Sequence, residues 1–264
     1  MELPLYQIDA FADRPFAGNP AAVCPLDDWL PDDTLQAIAL ENNLSETAFI
    51  VRRGDDFDLR WFTPALEVDL CGHATLATGH LILRLLEPGR EEVGFDTRSG
   101  RLTVTRDGDG LTMDFPALPP QQEVDPSEPL VAPLGHAPTA LYAVEKAHGM
   151  PYRMAVYDSA EAVAALRPQF SALGANVIAT ATGDDVDFVS RFFAPMSGID
   201  EDPVTGSAHC TLTPYWANRL DKSDLTARQI SARGGELRCR LAGDRVFITG
   251  KCVLYLEGRI QLAD

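Results

Sequence analysis

"LRWFTP" at Leu59–Pro64 and "SRFFAP" at Ser190–Pro195 are two writings of one pattern: arginine, an aromatic residue, phenylalanine, a spacer and proline. Their arginines, Arg60 and Arg191, stand 131 residues apart. Downstream, Gly72 of "CGHAT" and Gly206 of "TGSAH" are 134 apart, so the second copy is three residues longer there. "SGRLTVTRDGDGLTM" (Ser99–Met113) then matches "GGELRCRLAGDRVFI" (Gly234–Ile248) at an offset of 135. Three anchors in one order with a slowly drifting offset are the mark of an internal duplication. The proline-rich stretch from Phe115 to Pro133 links the copies, which sets the domains at 1–118 and 119–264. The closing segment "KCVLYLEGRIQL" is open to pairing with its own half or with the first.

Each half has the same plan. "LYQIDAF", "TAFIV", "DLRWF" and "RLTVT" alternate aromatic or β-branched residues at period two and read as strands. "PDDTLQAIALENN" carries Pro and Asp at its start and Leu35, Ile38 and Ala39 at helical spacing; "SAEAVAALRPQF" is its partner. The runs "HATLATGHLILRLL" and "SAHCTLTPYWANRL" begin apolar around their whole circumference, as a helix enclosed by other elements does. The fold class is therefore α+β: two pseudo-symmetric domains, each a mostly antiparallel, barrel-like sheet around a central helix.

A net charge of −17 provides no basic face for nucleic acid or an anionic membrane. No run of eighteen apolar residues and no signal-like start is present, so a cytoplasmic protein is expected. Five cysteines without C-x-x-C spacing fit reduced thiols better than a disulfide framework or zinc site, and His73 and His80, seven apart, suit no zinc spacing. No metal is expected.

Chemistry concentrates at the two central helix starts, where unpaired N–H groups favour anions and glycine lets a ligand approach the backbone. Gly72 and Gly206 hold those places, with Thr205 or Ser207 as caps and His209 and Cys210 packed one turn in. The ionisable groups differ between the halves. At an offset of 131 Glu46 of "NNLSETAF" falls opposite Val177, while Cys71 and His73 answer to Asp202 and Ser207 of "EDPVTGSAH". One acid/base set on a doubled scaffold suits proton transfer. A glutamate in that role works best when burial or a second carboxylate lifts it from about 4.3 towards 6–7. Leu44, Ala48 and Phe49 flank Glu46 and offer burial; Asp202 offers the charge if the halves face each other.

"IDAFADRPFAGNPAAV", "NNLSETAF", "RWFTPALEVDLCGHAT" and "EDPVTGSAH" resemble, in order and over nearly the whole chain, the signature stretches of the phenazine-biosynthesis isomerases (PhzF-like proteins). That resemblance implies the diaminopimelate-epimerase fold with an active site between two similar domains, a homodimer and no cofactor. In the phenazine enzyme the glutamate of the S-E-T motif moves a proton between two carbons of trans-2,3-dihydro-3-hydroxyanthranilate. Carried over, that residue is Glu46, with His73 and Asp202 beside it as catalytic groups. Ser207, Gly72, Gly206 and Asn19 become substrate contacts, the glycines through N–H groups that meet a carboxylate. The expected function is a cofactor-independent isomerase of a small carboxylate-bearing substrate. Two alternatives stand beside it: a two-thiol amino-acid racemase on the same fold, and a catalytically silent small-acid-binding dimer. The racemase needs a thiol at each helix start. Cys71 provides one, but Asp202-Pro203 stands at the other, and Cys210 lies too deep in its helix.

Overall fold

In the computed structural model, which describes residues 1–144 and 151–262, the chain divides into two compact units. One comprises Met1–Asp114 with Thr249 onward; the other is Phe115–Ile248. Among the described residues no helix is long and apolar enough to cross a membrane.

The first unit runs β1 (Glu2–Ala10), β2 (Asn19–Leu26), α1 (Asp32–Asn42), β3 (Glu46–Arg53), β4 (Asp56–Phe62), β5 (Glu67–Val68), α2 (Gly72–His80), β6 (Glu92–Thr97), β7 (Gly100–Asp107) and β8 (Gly110–Pro116). The C-terminal strand, β18 (Cys252–Gln261), also belongs to it and pairs antiparallel with β1 over the length of both. From there the ladder continues β1–β2 antiparallel, β2–β3 parallel, β3–β4 antiparallel, β4–β6 parallel, and β6–β7–β8 antiparallel. Pro31 and the acids Asp32 and Asp33 start α1, where the helix dipole favours negative charge; Asn43 ends it in the left-handed conformation. α2 touches β1, β2, β3, β7 and β18 and is buried from Gly72 to Gly79, which explains its lack of a polar face. Gly79 is required by packing: a Cβ there would lie 2.6 Å from Val104 Cγ1 of β7.

The second unit repeats this order as β9 (Glu123–Val124), β10 (Ala140–Ala143), β11 (Tyr152–Val156), α3 (Ala160–Ala165), β12 (Asn176–Thr182), β13 (Phe188–Ala194), β14 (Ile199–Asp202), α4 (Gly206–Leu220), β15 (Asp224–Gln229), β16 (Gly235–Ala242) and β17 (Arg245–Gly250). Pairings β10–β11 antiparallel, β11–β12 parallel, β12–β13 antiparallel and β13–β15 parallel reproduce those of β1 to β6. Pro214 lies inside α4 and has no N–H to give the Cys210 carbonyl. That carbonyl accepts from the Leu118 N–H instead, at 2.9 Å, so the helix continues with its backbone satisfied.

Strand register corrects the residue equivalences drawn from the sequence. Phe62 pairs with Thr47, and Phe193, its counterpart, pairs with Val177. Val177 therefore answers to Thr47, and Asn176 answers to Glu46. Counted between these paired residues, the β12–β13 hairpin is one residue longer than the β3–β4 hairpin, which a fixed offset cannot register. Likewise Val68 faces Trp61 while Asp202 faces Phe192, so Asp202 takes the place of Val68 and Cys71 answers to Thr205. The three extra residues lie between β13 and β14, around the 3-10 turn Pro195–Ser197 and the bulge at Phe193/Ala194.

His209 is fully buried in α4, its Nδ1–H donating to the Thr205 carbonyl at 2.8 Å, its Nε2 without a hydrogen-bond partner among the described residues, and its ring 5.9 Å from that of Phe188. Burial pulls its pKa from 6.5 down to about 4. His80, in the first unit, falls to about 4 as well, through burial and then the charge of Arg84. Both rings are more basic when unfolded, so the unfolded chain takes up protons first. The share of stability that these two rings set should be largest above pH 6.5 and fall as pH drops towards 4, by about 1.4 kcal/mol per pH unit for each ring, or about 3 kcal/mol for His209 across its window. Urea titrations from pH 7.5 to 4 should show that slope, and His209→Asn should remove one proton's share of it. An unaltered slope in that variant would contradict the assignment.

Candidate active site

Glu46 opens β3 and Asn19 opens β2; the two strands are parallel, so both residues stand at the same end of the sheet. The start of α2 arrives there too. His73, its second residue, places Nε2 3.1 Å from Glu46 Oε2, with both side chains nearly out of solvent. Among the described residues neither atom has a hydrogen-bond partner elsewhere. The other ring nitrogen, Nδ1, is 3.2 Å from Asn19 Nδ2 and 3.5 Å from Cys71 Sγ. Asn19 Oδ1 accepts in turn from the Ser45 hydroxyl at 3.4 Å. The chain Ser45–Asn19–His73–Glu46 is thus assembled from two strand starts, one loop and one helix start. Gly18, just before Asn19, has φ +66°, and a Cβ there would lie 2.1 Å from the Ala10 carbonyl oxygen; only glycine fits this entry to the site.

Burial depresses the His73 imidazolium, but Cys71 and Glu46 beside it act the other way and win, so its pKa stands well above 6.5. Burial first, and then the charge of Glu46, pushes the Cys71 thiol up to about 11. Cys71 is therefore a protonated thiol at neutral pH, which disarms it as a base. Asn19 is matched to a ring that changes charge. Its amide nitrogen donates to a neutral Nδ1, its reversed amide offers oxygen to an Nδ1–H, and the Ser45 hydroxyl pairs with either end.

Glu46, Cys71 and His73 each bring one possible metal-ligand atom within 4.8 Å of the others. Their arrangement is a poor cage. The thiol lies on the Nδ1 side of the ring and the carboxylate on the Nε2 side, so the donors surround an imidazole instead of converging on one ion.

In the second unit Asp202 closes β14, Thr205 is the residue before α4, and Gly206 and Ser207 begin the helix. The Thr205 hydroxyl donates to Asp202 Oδ2. Burial, and then the charge of Asp202, raises the pKa of Tyr152, whose ring stacks on Phe192 at 5.6 Å. Glu201, next to Asp202, makes a two-pronged pair with Arg191 at 2.7 and 2.8 Å. The site residues read from the sequence thus form two clusters: Asn19, Glu46, Gly72 and His73 in the first unit, Asp202, Gly206 and Ser207 in the second. Ser45 joins the first cluster, and Gln229, whose side-chain amide bonds the Asp202 carbonyl and the Thr205 N–H, joins the second, neither having been singled out. Ser45 precedes Glu46 in the S-E-T stretch, whereas Gln229 lies in a strand with no motif.

The family model for phenazine biosynthesis-like proteins (PhzC-PhzF) matches residues 8–258. An uncharacterized isomerase of Pseudomonas aeruginosa is 52% identical over all of both chains. The mouse phenazine biosynthesis-like domain-containing protein 1 is 38% identical over 98% of this chain and 99% of its own. Among solved structures, a PhzF-family protein of Enterococcus faecalis superposes with a TM-score of 0.93 at 45% identity, covering 99% of this chain and 100% of that one. A hydroxyproline epimerase of Agrobacterium vitis, at 14% identity and a TM-score of 0.60 over 100% and 93% of the chains, shares the fold.

Proposed function

The chain belongs to the phenazine biosynthesis-like (PhzC-PhzF) family, and on that premise we propose that it is an isomerase moving a proton within a small carboxylate-bearing substrate, with Glu46 as the general acid/base. The observation that carries this reading is the buried Glu46–His73 contact at 3.1 Å. A carboxylate held there takes a proton from one substrate carbon and returns it to another, so no proton is gained or lost overall. While Glu46 is charged, the His73 imidazolium stabilises it; while Glu46 carries the substrate's proton the ring keeps its own, so the proton that moves is the one passed between the substrate carbons. The α2 start at Gly72 receives the substrate carboxylate, as helix N-termini receive anions. The family likeness gives Asp202, Gly206 and Ser207 a part in the reaction as well.

The two-thiol alternative loses support because the residue answering to Cys71 in register is Thr205, which brings no second thiol. The test is solvent-deuterium wash-in, followed by NMR, on a panel of small cyclic and amino-acid carboxylates that includes trans-2,3-dihydro-3-hydroxyanthranilate. Wash-in at a carbon of one panel compound, kept by Cys71→Ala, is the expected result. Absence of wash-in across the panel, or its loss in Cys71→Ala, would overturn the reading.

A further inference from the structure

We propose that Gln229 is a positioning residue that sets the Asp202 turn, acting on its backbone from a strand end 27 residues further along the chain. This rests on the reading that Asp202 serves the reaction. Gln229 is the last residue of β15, wholly buried, and paired through its backbone with Gly235 and, in parallel register, Ser190. Its position is thus fixed by two neighbouring strands. Its side-chain amide meets the turn from Asp202 to Thr205 at three places. Oε1 accepts the Thr205 N–H at 2.9 Å, while Nε2 donates to the Asp202 carbonyl at 2.7 Å and reaches the Thr205 hydroxyl at 3.4 Å. The amide orientation is dictated by chemistry, because an N–H needs an acceptor and a carbonyl needs a donor.

The consequence for Asp202 follows directly. Its carboxylate is aimed by the Thr205 hydroxyl, and that hydroxyl and the Thr205 N–H are both held by Gln229. Fixing the backbone at both ends of a Pro203-containing turn fixes the direction of the carboxylate between them. The segment after β15 adds a second hold. Ser231 donates to the Pro203 carbonyl at 2.7 Å and accepts from the Gly234 N–H at 3.1 Å, where Gly234 turns the chain with φ +66°. No other side-chain type supplies an acceptor and a donor at this reach; glutamate keeps the acceptor and, when ionised, loses the donor.

Three variants test this: Gln229→Leu removes all three contacts, Gln229→Glu keeps the one from the Thr205 N–H, and Thr205→Val removes the hydroxyl alone. The direct readouts are hydrogen exchange at the Thr205 amide and the carboxyl carbon resonance of Asp202, neither of which needs a substrate. Gln229→Leu should speed Thr205 exchange at least about tenfold and shift the Asp202 signal. Gln229→Glu should leave exchange slow and still shift that signal, and Thr205→Val should shift it similarly. In deuterium wash-in on the panel compound, Gln229→Leu should lower kcat by about a hundredfold with KM changed little, the signature of a misplaced group. Should Gln229→Leu fail to fold, Gln229→Glu decides alone. An Asp202 resonance that stays at its wild-type position in a folded Gln229 variant would overturn the proposal. A wild-type protein without wash-in sinks only the proton-transfer reading, since the two spectroscopic readouts still decide the role of Gln229.

Discussion

Glu46→Gln should abolish proton exchange, lowering its rate by about 10³-fold, while the protein folds and melts as the parent does. The amide has the shape of the carboxyl group and still reaches His73 Nε2, but it cannot take a proton from carbon. Removing a positioned acid/base group costs about 10²–10⁴-fold, and here the same group would have to act in both directions. The substitution also removes one of the charges that raise His73. The His73 imidazole should therefore titrate at lower pH in Glu46→Gln than in the parent, as its ring-proton shifts would report. A parent-like His73 titration would mean that the 3.1 Å contact carries no electrostatic weight. Residual exchange within tenfold of the parent would mean that the proton is carried elsewhere.

How much of this was legible in the sequence depended on what each residue touches. The duplication was visible because its anchors are pinned by structure in both copies: Arg60 and Arg191 each make a two-pronged pair with a glutamate on the next strand, and Gly72 and Gly206 each open a central helix. Glu46 and His73 stood out through motif and family likeness, and the strand starts bring them together. The residue-by-residue equivalences were less legible. One extra residue in the β12–β13 connection moved the partner of Glu46 from Val177 to Asn176, a buried residue that holds Ser197 and the Met196 N–H. The place where one copy carries an acid/base group thus serves turn structure in the other. Gln229 left no trace at all, because its role comes from the register of β15 against β13 and β16, which neither periodicity nor composition encodes.

The two arginines of the repeat, alike in sequence, should differ in what they stabilise. Arg60 pairs with Glu67 at 2.7 and 2.8 Å and with Asp32 at 2.9 Å, but Glu67 has a second cation, Arg98, at 2.7 Å, and Asp32 is largely in water. Arg60→Met therefore leaves each carboxylate a partner or solvent, and about 1 kcal/mol is the expected loss. Arg191 is more enclosed. It holds Glu201 at 2.7 and 2.8 Å, donates to the Val163 and Leu166 carbonyls at 3.2 and 2.9 Å, and stacks over Phe193. Arg167 also bonds the Leu166 carbonyl, so the end of α3 keeps a donor; Glu201 loses both prongs at once. An ion left behind when a buried partner is removed costs about 3–5 kcal/mol, and because Glu201 keeps 20% of its side chain in water the loss should fall at the low end of that range. Urea unfolding should therefore place Arg191→Met well below Arg60→Met. Adding Glu201→Gln should recover part of that loss, because the stranded charge goes with it. Equal losses from the two arginine variants would show that Glu201 finds water where Arg191 stood. Since Glu201 precedes Asp202 in β14, the same variant should also disturb the turn that Gln229 holds, and the Asp202 carboxyl resonance would report it.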